Sequence, residues 1–316
     1  MADCLVTGGA GFIGSHIVRG LLEAGHRVRV LDNLCSGHAG NLDEVASRIE
    51  FVEGDICDDS AVEKAVKGVQ RVFHQAALAS VPLSLERPMD THQACVTGTL
   101  NLLRHSVAAG VKRFVYAASS SCYGDQPTSS KRETDLPMPL SPYAAAKLAG
   151  ELYCQSFYHS FGLETVGIRY FNVFGPRQDP QSEYSAVIPR FVSMILAGQR
   201  PVIYGDGQQS RDFVHVRNVV NANLLAATAN GSAGGTFNIG CGASTTLLQL
   251  LNTLSEILGR PIQAIHQPPR AGDVRDSLAD ITQARKCFGY EPLITVDQGL
   301  RESIAYYEHS AAASAR

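Results

Sequence analysis

The sequence predicts an α/β fold with a doubly wound parallel sheet and a smaller C-terminal substrate-binding lobe. Short apolar runs alternate with amphipathic stretches through residues 1–170, which is typical of β-α-β units that share one parallel sheet. A glycine-rich turn joins the first apolar run directly to the first amphipathic stretch. After about residue 170 this alternation gives way to connections rich in proline and glycine, and the change predicts the second lobe.

The strands of the first lobe are predicted from runs of β-branched and aromatic residues. They fall at residues 4–6, 28–31, 51–52, 72–73 and 114–116. The first helix is predicted between the first two runs, because Ile13, Ile17 and Leu21 recur at every fourth position, and Gly25 is a natural residue to end it.

The domain boundary is predicted at residue 170, with a dinucleotide-binding domain over residues 1–170 and a second lobe over residues 171–316. Residues 218–229 form another helical pattern, which could pack back on the first domain. We therefore expect the first domain also to receive residues 214–230.

Composition excludes several classes of protein. Apolar residues make up 45% and charged residues 18%, as in an ordinary globular protein. The 27 basic and 30 acidic residues give a net charge of −3, and no basic run exceeds two residues, so nucleic acid is a poor candidate partner. No apolar stretch approaches the roughly 20 residues that span a bilayer, and no basic region followed by an apolar one begins the chain. We expect a cytoplasmic protein with no membrane partner.

The eight cysteines are scattered and form no CxxC pair. This spacing suggests neither a zinc site nor a redox dithiol. We expect no metal site.

The glycine-rich turn has the spacing of a dinucleotide site. Gly8, Gly11 and Gly14 follow the pattern G-x-x-G-x-x-G between a predicted strand and a predicted helix. The absence of side chains lets a pyrophosphate approach the backbone N–H groups at the helix N-terminus, as in a Rossmann fold. The alternative is a strand-helix turn that holds no ligand.

Two acidic residues extend this prediction. Asp32 ends the second predicted strand 18 residues after Gly14, where an acidic residue binds a ribose diol and repels a 2′-phosphate, so NAD is favoured over NADP. Asp55 and Ile56 follow the third strand, where the adenine is expected. Asp55 could instead cap the helix predicted over residues 58–66.

Tyr143 and Lys147 stand four residues apart in a helix predicted over residues 142–161, which puts both on one face. A nearby ammonium and a positively charged nicotinamide would both favour the phenolate. Any helix can carry this pair, but three serines at 119–121 end the fifth predicted strand, where open α/β sheets place their ligands. Serine, tyrosine and lysine then form an acid-base unit suited to hydride transfer.

A set of segments spread over the whole chain carries a family resemblance. These are TGGAGFIG at 7–14, LDN at 31–33, HQAA at 74–77, SSSCYG at 119–124, SPYAAAK at 141–147, RYFNVFGPRQDP at 169–180, SRDFVHV at 210–216 and RAGDVRDSLADI at 270–281. They resemble the extended short-chain dehydrogenase/reductases that act on nucleotide sugars, specifically the UDP-hexose 4-epimerases.

The resemblance implies a retained NAD that takes a hydride from C4 of the sugar and returns it to the opposite face after the 4-keto sugar has rotated. It gives Tyr143 the role of base and then acid. Lys147 would lower the pKa of Tyr143 and hold the nicotinamide ribose, and Ser119 would bind O4, with Ser120 or Ser121 as alternatives. The implied cofactor-binding residues are Gly8, Gly11, Phe12, Ile13, Gly14, Asp32, Asn33, Ser36, Gly37, Asp55, Ile56, Gln75, Ala76, Ala77, Ala79, Tyr143, Lys147 and Tyr170.

The same resemblance implies a site for the nucleotide sugar. Arg211 and Arg270 match arginines that bind the diphosphate, while the segments around Ile188 and Ile203 flank uracil. The implied substrate-binding residues are Ser80, Ser119, Ser120, Ser121, Tyr143, Asn172, Val187, Ile188, Ile203, Tyr204, Arg211, Arg270, Asp273 and Ser277. Related dehydratases and decarboxylases carry acidic residues after the catalytic hydroxyl, where this chain has Ser120 and Ser121, so epimerisation is favoured.

Two positions bear on specificity and on cofactor retention. Epimerases restricted to small hexoses have a bulky tyrosine at the position of Ser277, so we expect N-acetylhexosamines to be accepted, with UDP-glucose and UDP-galactose as further substrates. Cys95 stands where the family usually has an asparagine near the nicotinamide, so NAD could be held less firmly unless Thr97 or a water compensates.

A homodimer through two helices per subunit is implied as well, formed by the helix over residues 101–107 and a face with Phe157, Tyr158 and Phe161. One alternative is a UDP-hexuronate 4-epimerase or another nucleotide-sugar oxidoreductase; the uronate reading needs a cation facing the C6 carboxylate. The other is a non-catalytic NAD-binding sensor, although such a protein typically loses the tyrosine or the lysine.

Overall fold

A computed structural model describes residues 2–128, 130–180, 186–269 and 274–314, with side chains up to residue 309. Its strands are β1 (Cys4–Thr7), β2 (Val28–Asp32), β3 (Ile49–Glu53), β4 (Arg71–His74), β5 (Arg113–Ser119), β6 (Ser130–Lys131), β7 (Glu164–Tyr170), β8 (Asn172–Phe174), β9 (Val202–Tyr204), β10 (Ser210–Arg211), β11 (Phe213–His215), β12 (Thr236–Ile239), β13 (Thr245–Thr246), β14 (Ile265–Gln267) and β15 (Asp276–Ala279).

The helices are α1 (Phe12–Glu23), α2 (Asp59–Val66), α3 (Val81–Glu86), α4 (Pro88–His92), α5 (Gly98–Ala108), α6 (Pro142–Phe161), α7 (Val187–Leu196), α8 (Val216–Ala226), α9 (Leu247–Leu258), α10 (Thr282–Phe288) and α11 (Val296–Ser314). 3₁₀-helical segments cover Ala39–Arg48 and Ser120–Tyr123, and a π-helical turn covers Gln93–Thr97.

Seven parallel strands form the central sheet, in the order β12-β7-β5-β4-β1-β2-β3. The predicted doubly wound fold is confirmed. The order reverses at β1, which lies between β2 and β4, and ligands of open α/β sheets bind at the carboxyl ends of the strands that flank such a reversal. There Thr7 at the end of β1 is in register with Leu31 and His74.

Both faces of the sheet are covered, which explains why its central strands read as continuous apolar runs. Ile17 and Val18 of α1 pack with Val219 and Ala222 of α8 on one face. Leu102 and Leu103 of α5 pack on the other face. Each of these side chains is almost completely buried, and full burial of an aliphatic side chain contributes about 2 kcal/mol.

The second lobe surrounds a separate apolar cluster built from α7, α9 and α11. Its strands form a four-stranded sheet in the order β13-β10-β15-β6, together with the pairs β11-β8 and β14-β9. β15 and β10 are parallel, which places Ser277 beside Arg211. Residues that are far apart in the sequence therefore meet at one edge of the lobe.

α8 lies within the stretch 214–230 that we expect to join the first domain, and it packs on α1. A Cβ added to Gly20 would lie 2.5 Å from Cγ1 of Val220, so the two helices approach closely. β12 likewise extends the central sheet from the second half of the chain. The domain boundary itself stays a prediction.

None of the helices in the described part of the chain is long and apolar enough to cross a bilayer.

Candidate active site

The glycine-rich turn brings the start of α1 close to the end of β1. Gly8 has φ +65°, and a Cβ on it would lie 2.6 Å from the backbone nitrogen of Ala76. A Cβ on Gly14 would overlap the carbonyl oxygen of Gly8. Neither Gly8 nor Gly14 has room for a side chain, so the backbone at the N-terminus of α1, including Gly11, lines the cavity directly. This backbone forms a cradle that fits a diphosphate.

Asp32 is held at the end of β2 by two backbone hydrogen bonds. Its Oδ2 accepts the Ala10 N–H at 2.9 Å, and its Oδ1 accepts the Leu34 N–H at 2.8 Å. The carboxylate is buried on the cavity wall, where it fits a ribose diol.

Asp55 lies across the cavity edge from Asn33, whose amide nitrogen donates to it at 2.7 Å. The alternative role for Asp55, as the N-cap of α2, is wrong. Asp58 caps that helix by accepting the N–H groups of Ser60 and Ala61. Asp55 is therefore available at the cavity edge beside Asn33.

The resulting cavity has a volume of about 270 Å³ and is lined by every residue that the resemblance implied for the cofactor. Sequence reasoning missed further lining residues, namely Leu31, Cys35, Gly54, Leu78, Ala94, Ala117 and Ala118. Most of these are small or apolar residues near strand ends. Nothing in the sequence distinguishes them from other small or apolar residues that line no cavity.

Tyr143 and Lys147 lie in the first turns of α6. The helix starts at Pro142, and Ser141 caps it by accepting the Ala144 N–H at 3.2 Å. Lys147 is 4% exposed, and its Nζ lies 4.6 Å from the centre of the Tyr116 ring, where a cation is stabilised by the ring. The helix therefore holds both functional groups against the end of the sheet.

Burial acts against the charged form of both groups. It raises the pKa of Tyr143 well above its usual range, and a hydrogen bond with Ser119 opposes this shift. It also lowers the pKa of Lys147. A phenolate and an ammonium attract each other at short range, so a charged Lys147 would favour the charged form of Tyr143 when that phenol exchanges a proton with a bound hydroxyl.

A chain of hydrogen bonds runs beneath this pair. Burial lowers the pKa of His74 to about 3, so the ring is neutral. Thr99 donates to the Cys95 carbonyl at 2.7 Å and must therefore accept from Nε2 of His74, at 2.9 Å. The remaining nitrogen, Nδ1, accepts from Thr7 at 2.7 Å. This directed chain ties the ends of β1 and β4 to the π-helical turn that carries Cys95.

Cys95 is completely buried, and burial raises the pKa of its thiol. The sulfur is close enough to Tyr143 and Lys147 to influence the pKa of both. Its effect on cofactor retention stays a prediction.

The three serines form a tight turn after β5. Ser119 Oγ accepts the Ser121 N–H at 3.2 Å and lies 2.8 Å from the Ser121 hydroxyl. Of the three, Ser119 is the one close enough to Tyr143 to lower the pKa of its phenol. This contact favours Ser119 as the residue that binds O4, and the assignment stays a prediction.

A second cavity of about 810 Å³ adjoins the first. Of the residues implied for the substrate, it is lined by Ser119, Ser120, Ser121, Tyr143, Asn172, Val187, Ile188, Tyr204, Arg211 and Ser277. Arg270 and Asp273 lie outside the described residues.

Two of the implied substrate residues do not line the second cavity. Ile203 is fully buried in the apolar cluster of the second lobe, because successive side chains of β9 point to opposite faces and Val202 and Tyr204 take the cavity side. Ser80 caps α3 instead, where its hydroxyl accepts the Leu83 N–H at 3.1 Å.

A buried polar network supports the serine turn. Arg169 of β7 forms a two-pronged ion pair with Glu151 of α6, at 2.6 and 3.0 Å, and donates to the Tyr123 hydroxyl at 2.7 Å. Tyr123 in turn donates to Asn238 of β12 at 2.7 Å. Asn238 donates to the backbone of Lys131, which lies in the second lobe's sheet. Sequence reasoning missed this network, although a charged residue inside an apolar parallel strand is a usable signal.

The two cavities meet at Tyr143. The residues that line both cavities are Phe12, Ile13, Ala79, Ala118, Tyr143 and Tyr170, whereas Lys147 lines only the first. The Tyr170 hydroxyl is fixed by the amide of Asn223 in α8, at 2.8 Å. A reactant in one cavity and a reactant in the other would therefore both contact the same phenol.

Comparison with known proteins agrees with this geometry. The sequence model of the NAD dependent epimerase/dehydratase family matches residues 4–240. A UDP-glucose 4-epimerase of Mycolicibacterium smegmatis is 39% identical over 312 residues, which cover 96% of this chain and 98% of that protein.

Solved structures resemble the whole chain. A UDP-N-acetylglucosamine 4-epimerase of Methanobrevibacter ruminantium in complex with UDP-N-acetylmuramic acid is 40% identical, with a TM-score of 0.93 over 98% of this chain and 99% of that one. A UDP-glucose 4-epimerase of Thermotoga maritima with UDP-glucose is 39% identical, with a TM-score of 0.92 over 98% of this chain and 99% of that one.

Proposed function

The chain belongs to the NAD dependent epimerase/dehydratase family, and from that premise we propose that it is a UDP-hexose 4-epimerase that accepts N-acetylhexosamines. It is an isomerase, and NAD is its cofactor. The observation that carries the proposal is the position of Tyr143 at the junction of the two cavities. One phenol there can exchange a proton with a sugar hydroxyl while the sugar carbon faces the cofactor cavity.

The cofactor cavity supplies the groups that would hold NAD. The glycine turn would take the diphosphate, Asp32 the adenosine ribose, and Lys147 the nicotinamide ribose. When bound, NAD accepts a hydride from the sugar carbon and can return it.

Tyr143 would take the proton from the C4 hydroxyl and later return it to the C4 oxygen. The Ser119 hydroxyl, which lies close enough to Tyr143 to lower the pKa of its phenol, would hold that oxygen in both steps. Lys147 does not line the sugar cavity and would act by stabilising the phenolate.

Arg211 lines the second cavity, and its guanidinium is anchored to the carbonyl groups of Ser210 and Arg275 at 2.8 and 3.1 Å. A planar, permanently charged fork suits a diphosphate. Arg270 and Asp273 stay predictions for the diphosphate and the ribose.

Sugar preference is proposed from Ser277, which lies on β15 at the cavity wall. A small side chain there leaves room for an N-acetyl group. Ser277→Tyr should lower kcat/KM for UDP-N-acetylglucosamine by about 10- to 100-fold. UDP-glucose should change much less, and Ser277→Ala serves as the control because it adds no bulk. An equal loss for both sugars would contradict the proposal.

The decisive experiment is incubation with UDP-N-acetylglucosamine and with UDP-glucose without added cofactor, with the products resolved by NMR. Inversion at C4 with no accumulated NADH is the expected result. A released keto sugar, or no turnover by protein that carries NAD, would overturn the proposed function; the second outcome would favour the sensor.

A UDP-hexuronate is the second candidate substrate, because two cationic residues besides Arg211 line the substrate cavity. These are Arg190 of α7 and Lys131 of β6. The ammonium of Lys131 donates to the backbone carbonyls of Gln126 and Thr128, at 2.9 and 2.5 Å, so Arg190 is the better candidate for a carboxylate. Faster C4 inversion of UDP-glucuronate than of both neutral sugars would favour this reading.

A homodimer through α6 remains part of the proposal. Phe157 was expected on the contact face, but it is buried in the core of its own subunit, and Phe161 alone of the three aromatic residues is exposed. The large apolar side chains that are exposed on α6 and the adjoining α3 and α4 are Val81, Leu85, Met89, Leu152, Tyr153 and Phe161. Light scattering should give twice the chain mass, and Leu152→Glu should reduce it to that of a monomer.

A cytoplasmic location stays a prediction.

A further inference from the structure

The aromatic ring of Tyr116, on β5, lies against the side chain of Lys147. Tyr116 is completely buried, and Nζ of Lys147 lies over its face, 4.6 Å from the ring centre. The Tyr116 hydroxyl donates to the backbone carbonyl of Lys147 at 3.1 Å. Gly150, on the next turn of α6, permits this approach, because a Cβ there would overlap the Tyr116 hydroxyl. The ring is therefore held against the helical turn that carries Lys147.

No anion in the described part of the chain balances the charge of Lys147. Its ammonium forms no ion pair and no hydrogen bond with any described residue. Two thiols are close enough to influence its pKa, namely Cys95 of the π-helical turn and Cys154 of α6. Burial raises the pKa of both thiols, so both are uncharged at neutral pH. Neither thiol can therefore supply a negative charge.

The other titratable groups around this ammonium are uncharged or already paired. His74 of β4 is neutral, because burial lowers its pKa to about 3. Burial also raises the pKa of Tyr116 and of Tyr143, which favours the protonated phenol in both. Glu151, one turn further along α6, is bound to Arg169. Among the described contacts, the face of the Tyr116 ring is therefore the one that stabilises an ammonium in this buried site.

We propose that Tyr116 is a positioning residue for proton transfer, because the face of its ring keeps Lys147 as the ammonium and holds it at the cofactor cavity. The face of an aromatic ring carries partial negative charge, which attracts a cation without taking its proton. A carboxylate in the same place would neutralise the ammonium, whereas the ring leaves its positive charge available to Tyr143. The inference rests on the proposed function, which assigns the proton transfer to Tyr143.

The test is a titration of Lys147 in the holoenzyme, followed by NMR of protein labelled with ¹³C at the ε-carbon of lysine. The chain has six lysines, and the signal of Lys147 is the one that disappears in Lys147→Arg. Tyr116→Phe keeps the ring face and should leave the midpoint of this titration close to that of the parent. A trifluorinated phenylalanine at position 116 keeps the shape of the ring but withdraws electrons from its face. It should move the midpoint to lower pH by about one unit.

The same trifluorinated residue in place of Phe114 is the matched control. Phe114 is a completely buried ring on the same strand, and no cation lies over its face among the described residues. This replacement should leave the midpoint of Lys147 unchanged. The inference would be overturned by an unchanged midpoint with the fluorinated ring at position 116, or by an equal shift from position 114. A full shift in Tyr116→Phe would also overturn it, because the hydroxyl and not the ring would then carry the effect.

A second measurement is the pH dependence of kcat for C4 inversion. A less charged Lys147 favours the Tyr143 phenolate less, so the acid limb of the kcat profile should move to higher pH by about half a unit with the trifluorinated ring. A monofluorinated ring should give a smaller shift in the same direction. A ring that only fills space in the core would leave the acid limb in place, and that result would contradict the inference.

Titration and turnover separate the two proposals. Protein whose Lys147 midpoint responds to fluorination at position 116 and which does not invert C4 contradicts the epimerase function and supports the role of Tyr116. An active epimerase whose Lys147 midpoint does not respond contradicts only the role of Tyr116.

Discussion

The two cavities are built in different ways. The cofactor cavity is lined by short segments that follow the strands of one sheet, and the residues implied for it from local motifs all lie on its wall. The substrate cavity draws on the serine turn, β8, α7, β9, β10 and β15, which span more than half of the chain. Here Ile203 and Ser80 lie elsewhere, and Gln209, Lys131 and Arg190 were not anticipated.

The contrast shows what a motif can encode. A strand-turn-helix unit fixes its own backbone within a few residues, so its glycines and its acidic residue have predictable positions. In the second lobe, the side of a short strand that faces the cavity depends on how the rest of the lobe packs. Substitutions in the two regions should therefore have different consequences.

The largest effect is expected where the two cavities meet. Tyr143→Phe removes the proton-transfer group and should lower kcat for C4 inversion by about 10³-fold, with NAD content and UDP affinity close to those of the parent. Tyr153→Phe, a partly exposed position on the same helix, is the control and should leave kcat unchanged. Near-parental turnover by Tyr143→Phe would refute the assigned role.

Gly14→Ala should disrupt the cofactor cavity and leave the substrate cavity intact. The added Cβ overlaps the backbone of Gly8, so the turn must shift, at a cost of about 3 kcal/mol in unfolding free energy and with loss of bound NAD. Gly40→Ala is the control, since its Cβ would meet only Asp43 Oδ2, at 3.7 Å. Denaturant unfolding and absorbance of released cofactor measure both effects. Full NAD content in Gly14→Ala would contradict the proposed cradle.

Tyr123→Phe should weaken the link between the two regions. Removing the hydroxyl deprives Arg169 of an acceptor and Asn238 of a donor inside the protein, which should cost about 2 kcal/mol in unfolding free energy. Urea unfolding of each variant measures this cost, and Tyr153→Phe is the control for the loss of a hydroxyl. If the two variants are equally stable, the network does not join the regions.

The smallest effect is expected when the pH is lowered, and it concerns the stability that His16 contributes at a contact between the two regions. His16 of α1 donates to the Pro176 carbonyl at 2.9 Å, and burial lowers its pKa to about 4, with Arg177 and Arg19 adding to the shift. Between pH 6.5 and 4 the unfolded chain binds more protons at this residue than the folded protein does, so stability falls as the pH falls.

His16 should account for about 1 kcal/mol of the unfolding free energy lost between pH 7.5 and 5.5. His16→Gln keeps an N–H for Pro176 and should remove that part of the pH dependence. The exposed His159→Gln should not alter it. Identical slopes for the parent and His16→Gln would show that His16 does not carry this linkage.

Sequence reasoning recovered the parallel sheet, the cofactor turn and the placement of Tyr143 and Lys147 on one helix. It also gave Asp55 two possible roles, and the structure removed one, because Asp58 caps α2. The dimer face was misplaced at Phe157, because helical spacing alone does not tell which apolar side of α6 meets the sheet. Both cases concern a choice between neighbouring residues that the local sequence pattern leaves equivalent.

The sequence by itself determined the elements whose geometry is local. Glycine spacing, strand-helix alternation and the four-residue interval between Tyr143 and Lys147 each act within one turn or one helix. Only the tertiary structure decided that Tyr143 borders two cavities, that Arg169 pairs with Glu151, and that Ile203 is buried in the second lobe's core while Tyr204 lines the substrate cavity. The reason is that burial and hydrogen-bond partnership depend on segments distant in the chain, whose packing no local pattern specifies.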